Sequence, residues 1–269
     1  MRVSPEKYHS SSRIINIQKE IAERCLEMLS LPAGRPSYLL DIGCGSGLSG
    51  AVLEEAGHYW VGCDVSADML RVAAEQTDSD TGDLAHSDMG QGLPFRPGSF
   101  DGCISVSALQ WLCYSNTSLQ DPKLRLNRFF SSLYGVLKKD ARAILQFYPE
   151  NAEQAVLIAQ CASKVGFAGG VVVDYPNSSK AKKYYLCLSF ERSYKVPTAM
   201  GLDNAQESTV DVIARANPLA MAKKRREKKE RPMVKSLDWV KTKKEKHRRL
   251  GKEVKNDSKY TARKRSSGF

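Results

Sequence analysis

The sequence predicts an α/β fold: an open, mostly parallel β-sheet covered by helices on both faces. Strand-like apolar runs alternate with amphipathic helical stretches through the first 190 residues, the order expected for such a sheet. The 269 residues, 42% hydrophobic and 26% charged, suffice for one large domain and an appendage. We therefore expect one domain over residues 1–190, followed by a linker and a basic region over residues 191–269.

The individual elements follow from hydrophobic periodicity. Between Arg13 and Leu29 apolar residues recur every three or four positions, which predicts a helix that ends before Pro32. The short apolar run Tyr38–Ile42 predicts a buried parallel strand. The later elements are predicted in the order helix 48–56, strand 59–64, helix 67–75, strand 83–87, strand 100–107, helix 122–137, strand 141–147, helix 152–166, and strands 171–173 and 184–188.

The two edges of the sheet can also be assigned. A polar turn at residues 177–180 joins the last two strands, which predicts an antiparallel hairpin at one edge. The short third strand, residues 83–87, is expected at the opposite edge. An edge strand can pair with a strand of another chain, so this edge is a candidate docking site for a partner.

The net charge of +11 is unevenly distributed. Residues 1–220 carry −3, whereas residues 221–269 carry +14, with basic clusters at 223–231, 241–249 and 263–265. Such clusters are typical of nuclear import signals and of contacts with nucleic-acid phosphates. The tail is predicted to serve one or both of these roles.

The distribution of cysteines and histidines argues against disulfide bonds and against a metal site. Seven scattered cysteines without a CxxC pair predict reduced, mostly buried thiols, and the four dispersed histidines argue against a protein-borne metal site. No apolar run approaches the roughly 18 residues of a membrane helix, and the N-terminus lacks a secretory signal. A soluble intracellular protein without membrane association is expected.

The segment Leu39–Gly47 (LLDIGCGSG) carries the sharpest site signal. Asp41 stands near the end of the first strand, and the glycines at 43, 45 and 47 let the backbone turn tightly and approach a ligand. Asp64 ends the next strand, where a carboxylate can accept hydrogen bonds from ribose hydroxyls. Cys44 lies inside this loop and is expected to be a packing residue rather than a nucleophile.

Two cofactors compete for this pattern. Residues 45–50 (GSGLSG) also match the GxGxxG of NAD-binding proteins, but there the first glycine closes the strand directly, and Gly45 would be three residues late. Asp41 would also place a charge beside a pyrophosphate, whereas it suits the α-ammonium of S-adenosylmethionine. We therefore favour S-adenosylmethionine over NAD.

Two further segments bear on adenine and on the acceptor. Asp88 can accept a hydrogen bond from an adenine amine and Met89 can pack on its ring. Taken alone, the pair would be explained better as a turn cap and a core residue, but the two preceding motifs at the expected intervals favour the adenine site. The fourth strand ends in Ser105–Ala108, without the acidic or Asn residue, two prolines and aromatic that amino-group methyltransferases place there. Because no clear base or thiolate is offered, we favour an acceptor ring nitrogen that needs only alignment and desolvation.

Three aromatic residues follow the fourth and fifth strands, at the edge where α/β sheets bind ligands. A flat base can stack on such rings, although each is as readily explained as a packing residue. The candidates are Trp111, Phe147 and Tyr148.

Together the motifs resemble the eukaryotic 18S rRNA (guanine-N7)-methyltransferase family, also known as the Williams-Beuren syndrome region methyltransferases. The resemblance extends over nearly the whole chain. It is carried by KYHSSSR (7–13), LLDIGCGSGLSG (39–50), HYWVGCDVS (58–66), DMGQGLPF (88–95), QWLC (110–113), VVDYPNS (172–178) and YTARKR (260–265).

The resemblance implies a Rossmann-like, seven-stranded class I S-adenosylmethionine-dependent methyltransferase fold with a basic C-terminal extension. It also implies a guanine in 18S rRNA of the small-subunit precursor as acceptor, a role in small-subunit biogenesis, a nuclear or nucleolar location, and a small zinc-containing activator subunit as partner. A ribosome-assembly factor that uses this fold mainly for binding is the alternative.

The resemblance further assigns the cofactor residues. The glycines contact the methionine portion, Asp64 the ribose, and Asp88 the adenine, while a segment with Lys7 and Tyr8 closes over the cofactor. Members of the family usually carry additional residues before this segment, which predicts an altered N-terminal lid or a different start codon here. The expected cofactor residues are Lys7, Tyr8, Arg13, Asp41, Gly43, Gly45, Gly47, Asp64, Val65, Asp88, Met89 and Ser105.

Overall fold

A computed structural model describes residues 12–77, 80–114, 121–178 and 180–201, together with residues 240, 241, 243, 244, 247, 248 and 254–257. The chain divides into two compact units, Met1–Ala216 and Asn217–Phe269. No helix in the described residues is long and apolar enough to span a membrane.

The first unit contains seven strands and five α-helices among its described residues. It also contains two short 3₁₀-helical turns, Met89–Gln91 and Leu109–Cys113. In chain order the elements are α1 (Ser12–Leu29), β1 (Tyr38–Ile42), α2 (Leu48–Glu55), β2 (Tyr59–Asp64), α3 (Ala67–Ala74), β3 (Gly82–His86), β4 (Phe100–Val106), α4 (Pro122–Val136), β5 (Leu137–Phe147), α5 (Ala152–Val165), β6 (Ala168–Asp174) and β7 (Lys183–Ser189).

The strands form one sheet in the order β3-β2-β1-β4-β5-β7-β6. All neighbours are parallel except β7, which is antiparallel to both β5 and β6. The predicted hairpin edge and the predicted position of β3 at the opposite edge are both confirmed. Because β1, β2, β4, β5 and β6 run in one direction, their carboxyl ends meet at the same edge of the sheet, called here the carboxyl edge.

Helices cover both faces of the sheet, as predicted. One core cluster joins α4 and α5 to the sheet through side chains such as Phe129, Phe130 and Ile158, and the other joins α1 and α2 through Met28 and Leu53. Of the seven cysteines, all are free and all but the half-buried Cys113 are buried, in agreement with the expectation of reduced core thiols.

The start of β5 differs from the prediction by four residues. The strand follows α4 directly at Leu137, which pairs with Phe100, and the pairing register then shifts before Gly102. Residues 138–140 are polar and exposed, so the apolar pattern that marks a buried strand begins only at Ala141.

Beyond the boundary predicted after residue 190, the described chain stays packed against the preceding helices and strands as far as Gly201. The Arg24 guanidinium lies 3.0 Å from the Asp174 carboxylate and donates to the Thr198 carbonyl oxygen at 2.9 Å. The Met200 N–H donates to the other Asp174 oxygen at 2.8 Å. Polar contacts of single residues, together with packing of Tyr194, Val196 and Ala199 on the core, hold this segment, which has no helical or strand periodicity.

The second unit contains most of the basic tail. Among its described residues, Lys244 and Arg248 both donate to the carboxylate of Asp257, at 2.9 Å and 3.2 Å. These hydrogen bonds lower the pKa of Asp257.

Candidate functional site

A cavity of about 760 Å³ opens at the carboxyl edge, where β1, β2 and β4 end. Its volume is in the range of pockets that hold small-molecule ligands, roughly 300 to 1,000 Å³. The described residues that line it include Gln18, residues 43–46, Leu48, Ser49, residues 63–65, Met69, residues 87–89, residues 106–108, Trp111, Leu112, Tyr114 and Arg125.

The loop after β1 forms one wall and is fastened to the end of β2. The N–H groups of Gly43 and Cys44 both donate to the Cys63 carbonyl oxygen, at 2.7 Å and 3.2 Å. Gly43 has a φ of 73°, and a Cβ built on it would lie 2.2 Å from the Cβ of Ala108. Only glycine therefore satisfies both the left-handed backbone and the close approach of the loop after β4.

Asp64 organises the loop and presents its carboxylate to the cavity. One oxygen accepts from the Gly45 N–H at 3.0 Å and the other from the Ser66 N–H at 2.8 Å. Each carboxylate oxygen retains a further lone pair. The side chain therefore keeps acceptors for the two ribose hydroxyls that were predicted to bind there.

Asp41 lies behind the loop rather than in the cavity wall. It is fully buried, one oxygen accepts from the Ser49 hydroxyl at 2.5 Å, and the other has no hydrogen-bond partner. Burial raises its pKa to about 7 despite the Ser49 hydrogen bond, which lowers it, and the nearby Asp64 charge adds to the rise. Asp41 therefore does not line the cavity as a direct cofactor contact would require, whereas its hydrogen-bond partner Ser49 does.

Asp88 and Met89 follow β3 and make the contacts of a turn cap and a core residue, the alternative to their predicted role at the adenine. Asp88 caps the 3₁₀ turn by accepting from the Gly90 N–H at 2.8 Å, and Met89 packs against the core. Both residues also line the cavity, where an adenine would require them.

Arg125 of α4 joins Asp88, and nothing in the sequence pattern marks it. Its guanidinium donates to the two Asp88 oxygens at 3.0 Å and 3.3 Å, and its buried Nε has no hydrogen-bond partner. A Cβ on Gly90 would lie 2.4 Å from that Nε, so this glycine makes room for the guanidinium. Gln18 of α1 is a second cavity residue that the motifs do not reveal.

The end of β4 is held by a network of amides. Ser107 has an unusual φ of 57°, and its N–H and hydroxyl both donate to the side-chain oxygen of the buried Gln146, each at 2.9 Å. Gln110 donates to the Ser107 carbonyl oxygen at 2.7 Å. Ser105 is buried and donates its hydroxyl to the Ile42 carbonyl oxygen, so its predicted role in cofactor binding is wrong. Ser107 lines the cavity instead.

The three candidate aromatics differ in exposure. Trp111 lines the cavity with 63% of its surface exposed, and Tyr148 is 40% exposed beyond the cavity. Phe147 is fully buried beside Tyr184, which makes it a core residue and rules it out as a stacking partner in this structure.

The other expected cofactor residues are distributed as follows. Gly45 and Val65 line the cavity, whereas Gly47 caps α2 outside the cavity wall and Arg13 is an exposed residue of α1. Lys7 and Tyr8 lie outside the described residues.

The thiol in the loop is inert. Cys44 is buried, and a Cβ built on Gly62 would lie 2.7 Å from its sulfur, which shows how tightly the side chain packs. Burial raises the pKa of the Cys44 thiol, with further contributions from Asp41 and Asp64. A thiol held protonated is a poor nucleophile, in agreement with its predicted packing role.

Comparison with known families identifies two matching segments. A methyltransferase domain matches residues 40–145, and a family described as methyltransferases involved in Williams-Beuren syndrome matches residues 191–267. The 18S rRNA (guanine-N(7))-methyltransferase of Mus musculus is 54% identical to this chain. The match covers 98% of this chain and 92% of the mouse protein. The 18S rRNA (guanine(1575)-N(7))-methyltransferase of Saccharomyces cerevisiae is 44% identical, with 98% and 93% covered.

Solved structures with this fold are more distant in sequence. A TehB-like SAM-dependent methyltransferase from Corynebacterium glutamicum superposes with a TM-score of 0.51 at 16% identity, covering 70% of this chain and 98% of that one. A geranyl diphosphate methyltransferase in complex with GPP and sinefungin gives a TM-score of 0.52 at 16% identity, covering 67% and 81%. The predicted class I methyltransferase fold is confirmed.

The residues around the cavity fit S-adenosylmethionine. The buried, partnerless oxygen of Asp41 places a hydrogen-bond acceptor behind the loop that would hold the methionine ammonium. Asp64 offers lone pairs for a ribose, and Asp88 with Met89 offers an acceptor and a packing surface for an adenine. A cofactor with phosphates would instead meet carboxylates on both sides.

Proposed function

Because the chain belongs to the family of 18S rRNA (guanine-N7)-methyltransferases, we propose that it transfers a methyl group from S-adenosylmethionine to N7 of a guanine in 18S rRNA. The observation that carries this proposal is that one cavity joins the glycine loop, Asp64 and Asp88 to the exposed ring of Trp111. Cofactor residues and a surface for a flat base thus share one opening at the carboxyl edge.

The chemistry of the cavity suits a ring nitrogen. Bound S-adenosylmethionine supplies an electrophilic methyl group, and the N7 lone pair of guanine accepts it without losing a proton. Among the described residues that line the cavity there is no histidine, lysine or glutamate, and both aspartates already accept backbone hydrogen bonds. The chain's contribution is therefore to orient the two reactants and exclude water.

The direct test is to map N7-methylguanosine in small-subunit rRNA by chain cleavage, in cells with and without this protein. We expect one guanine to lose its modification when the protein is absent. Unchanged cleavage at every guanine would contradict the proposal. Titration of the purified protein with S-adenosylmethionine and with NADH tests the cofactor separately, and only the former should bind.

Asp64→Ala distinguishes an enzyme from an assembly factor that uses the fold for binding. Loss of both methylation and small-subunit maturation would indicate that catalysis is required. Loss of methylation with normal maturation would indicate that the cell needs mainly the presence of the protein. A role in small-subunit biogenesis is proposed in either case.

We further propose that a small zinc-containing activator subunit docks on β3. This strand pairs with β2 along one side, and no other described strand pairs with its free side. An unprotected edge of this kind can accept a strand from another chain. Expression with and without the activator tests the idea, since full solubility and methyl transfer by the isolated chain would contradict it.

The basic tail is proposed to contact RNA and to direct the protein to the nucleus and nucleolus. Its charge of +14 supports both roles. Truncation after Ala220 should weaken binding to the small-subunit precursor and reduce its salt dependence, with cofactor affinity unchanged. An unchanged salt slope would contradict the RNA contact, and an unchanged location of the truncated protein would contradict nuclear targeting.

A further inference from the structure

Three exposed aromatic rings follow three strands of the carboxyl edge. Trp111 comes five residues after β4, while Tyr148 and Tyr175 come directly after β5 and β6, and the latter two are 40% and 44% exposed. The strand order β4-β5-β7-β6 places the ends of β4 and β6 three strand spacings apart, about 14 Å. The rings thus extend along the edge from the cavity toward the hairpin.

Exposed apolar surface is concentrated at this edge. Of the ten large apolar side chains that are exposed in the described part of the chain, five lie here: Val65, Trp111, Tyr148, Tyr175 and Met200. A concentration of exposed apolar side chains next to a ligand cavity marks an interaction surface, whereas single exposed apolar side chains are common on any protein.

Positive charge accompanies the rings. Because β7 is antiparallel to its neighbours, it begins at the carboxyl edge, and Lys183 brings its Nζ to 5.8 Å from the centre of the Tyr148 ring. Lys180 and Lys182 precede it in the hairpin turn. The nearby carboxylate of Glu150 is hydrogen-bonded to the Tyr114 hydroxyl.

The backbone holds one of these rings in an uncommon conformation. Tyr175 has a φ of 50°, a value that bulky residues rarely adopt. It persists because the Tyr175 N–H donates to the Met200 carbonyl oxygen at 2.8 Å and the Ser178 N–H donates to the Tyr175 carbonyl oxygen at 3.0 Å. Among described non-glycine residues, only Ser30, Ser107 and Tyr175 have positive φ, and the last two lie at this edge. Such strain is typical of functional sites.

We propose that Trp111, Tyr148, Tyr175 and Lys183, called here the ring row, bind a single-stranded RNA segment that flanks the acceptor guanine. The inference rests on the proposed function and extends it. N7 lies in the major groove, which in an RNA duplex is too deep and narrow for protein side chains, so the guanine must be presented from unpaired RNA. Its unpaired neighbours stack on the rings, and Lys183 lies close to their phosphates.

The test measures binding of a fluorescent 20-nucleotide single-stranded RNA to the full chain in 0.3 M salt, where contacts of the basic tail are weakened. Tyr148→Leu and Tyr175→Leu should each weaken binding about fivefold or more. Tyr148→Phe and Tyr175→Phe keep the rings and should change it less than twofold. Tyr59→Leu removes a ring of 50% exposure at the opposite end of the sheet and should also have little effect.

Lys183→Gln provides a second, independent measurement. It should reduce the slope of log affinity against log salt by about one, as expected for one phosphate contact. The cofactor dissociation constant, measured in parallel, should not change in any of these variants. If Tyr175→Leu fails to fold, Tyr148→Leu and Lys183→Gln decide the outcome.

Unchanged RNA affinity in the leucine variants would overturn the proposal and leave the ring row as a surface for a protein. Equal affinity for a duplex of the same length would also overturn it, since only phosphate contacts would then remain. Either result leaves the methylation of guanine N7 intact if the wild-type chain still methylates small-subunit rRNA. Conversely, ring-dependent RNA binding without any N7 methylation would contradict the proposed function and preserve the ring row.

Discussion

The two halves of the carboxyl edge are built in opposite ways. The half formed by β1 and β2 contains a fully buried carboxylate, two buried polar atoms without partners on Asp41 and Ser46, and a glycine pressed against Ala108. The three rings of the ring row, in the other half, are exposed side chains. Substitutions in the first half should therefore change stability and cofactor binding together, whereas substitutions of Tyr148, Tyr175 and Lys183, which do not line the cavity, should change RNA binding without changing cofactor binding.

The largest effect is expected at Asp41. Its carboxyl has a pKa of about 7 in the fold against 3.8 in an unfolded chain, so the folded state retains a proton that the unfolded state loses between these values. The wild-type free energy of unfolding should therefore fall as pH rises from about 4 to 7, by about 4 kcal/mol from this group alone. Asp41→Asn should remove that loss and bind the cofactor more weakly at pH 8.

Urea unfolding of both proteins between pH 4 and pH 8 measures the difference. Asp68→Asn, at an exposed carboxylate of α3, is the control and should follow the wild-type pH dependence. Ser49→Ala removes the hydrogen bond that lowers the Asp41 pKa and should shift the transition to higher pH. If the free energies of unfolding of the wild type and of Asp41→Asn changed with pH in parallel, the buried carboxylate would not lower stability as pH rises.

The next largest effect is expected at Gly43. Gly43→Ala combines a left-handed backbone with a Cβ overlapping that of Ala108, whereas Gly34→Ala has a similar φ of 77° and nothing within 4 Å. The first should cost about 3 kcal/mol in stability and abolish measurable cofactor binding, and the second only about 1 kcal/mol. Thermal unfolding with and without cofactor separates them. Equal losses would mean that backbone conformation alone, not the contact with Ala108, makes glycine necessary.

The same contrast explains what the sequence could predict. The glycine loop and Asp64 occupy fixed positions relative to strand ends, so local spacing is enough to locate them. Arg125 and Gln18 reach the cavity from helices whose placement depends on the whole core, and no local pattern marks them. Phe147 and Tyr148 are adjacent aromatics, and β5 is buried on both faces near its end, so no alternation indicates which ring is exposed.

The packed segment beyond β7 was missed for a related reason. Residues 191–201 are held by individual contacts to Asp174, Arg24 and the core rather than by a periodic apolar face. The amino-acid composition of this segment therefore resembles that of a linker. The strand limits, in contrast, were predicted within one residue for β1 to β4, because each is bounded by turns or glycines.

A smaller effect is expected when Asp64 loses its charge but keeps its shape. Asp64→Asn retains one oxygen for the Gly45 N–H and loses an acceptor for the ribose hydroxyls. A hydrogen bond to a charged group contributes about 2 kcal/mol, so cofactor affinity should fall about thirtyfold. Calorimetric titration with S-adenosylhomocysteine measures it, with Asp68→Asn as control. If RNA affinity in 0.3 M salt fell equally, the proposed separation of the two halves would be wrong.

The smallest effect is expected at Arg125, which contacts the proposed adenine acceptor without being part of the glycine loop. Arg125→Gln removes the two contacts at 3.0 Å and 3.3 Å but leaves the Gly90 N–H bonded to Asp88, so the carboxylate should remain near its place with less restraint. Cofactor affinity should fall about tenfold, or 1.4 kcal/mol. Arg128→Gln, on the same helix and exposed, is the matched control.

An inosine analogue of S-adenosylhomocysteine distinguishes a specific role of Arg125 from a general loss of packing. The analogue carries an oxygen where adenine has its amine, so that position cannot donate to Asp88, and the analogue should bind the wild type more weakly. If Arg125 holds the carboxylate for that amine, Arg125→Gln should lower affinity for the adenine form far more than for the analogue. An equal loss for both would mean that the guanidinium only fills space beside Gly90, and adenine recognition would then rest on Asp88 and Met89 alone.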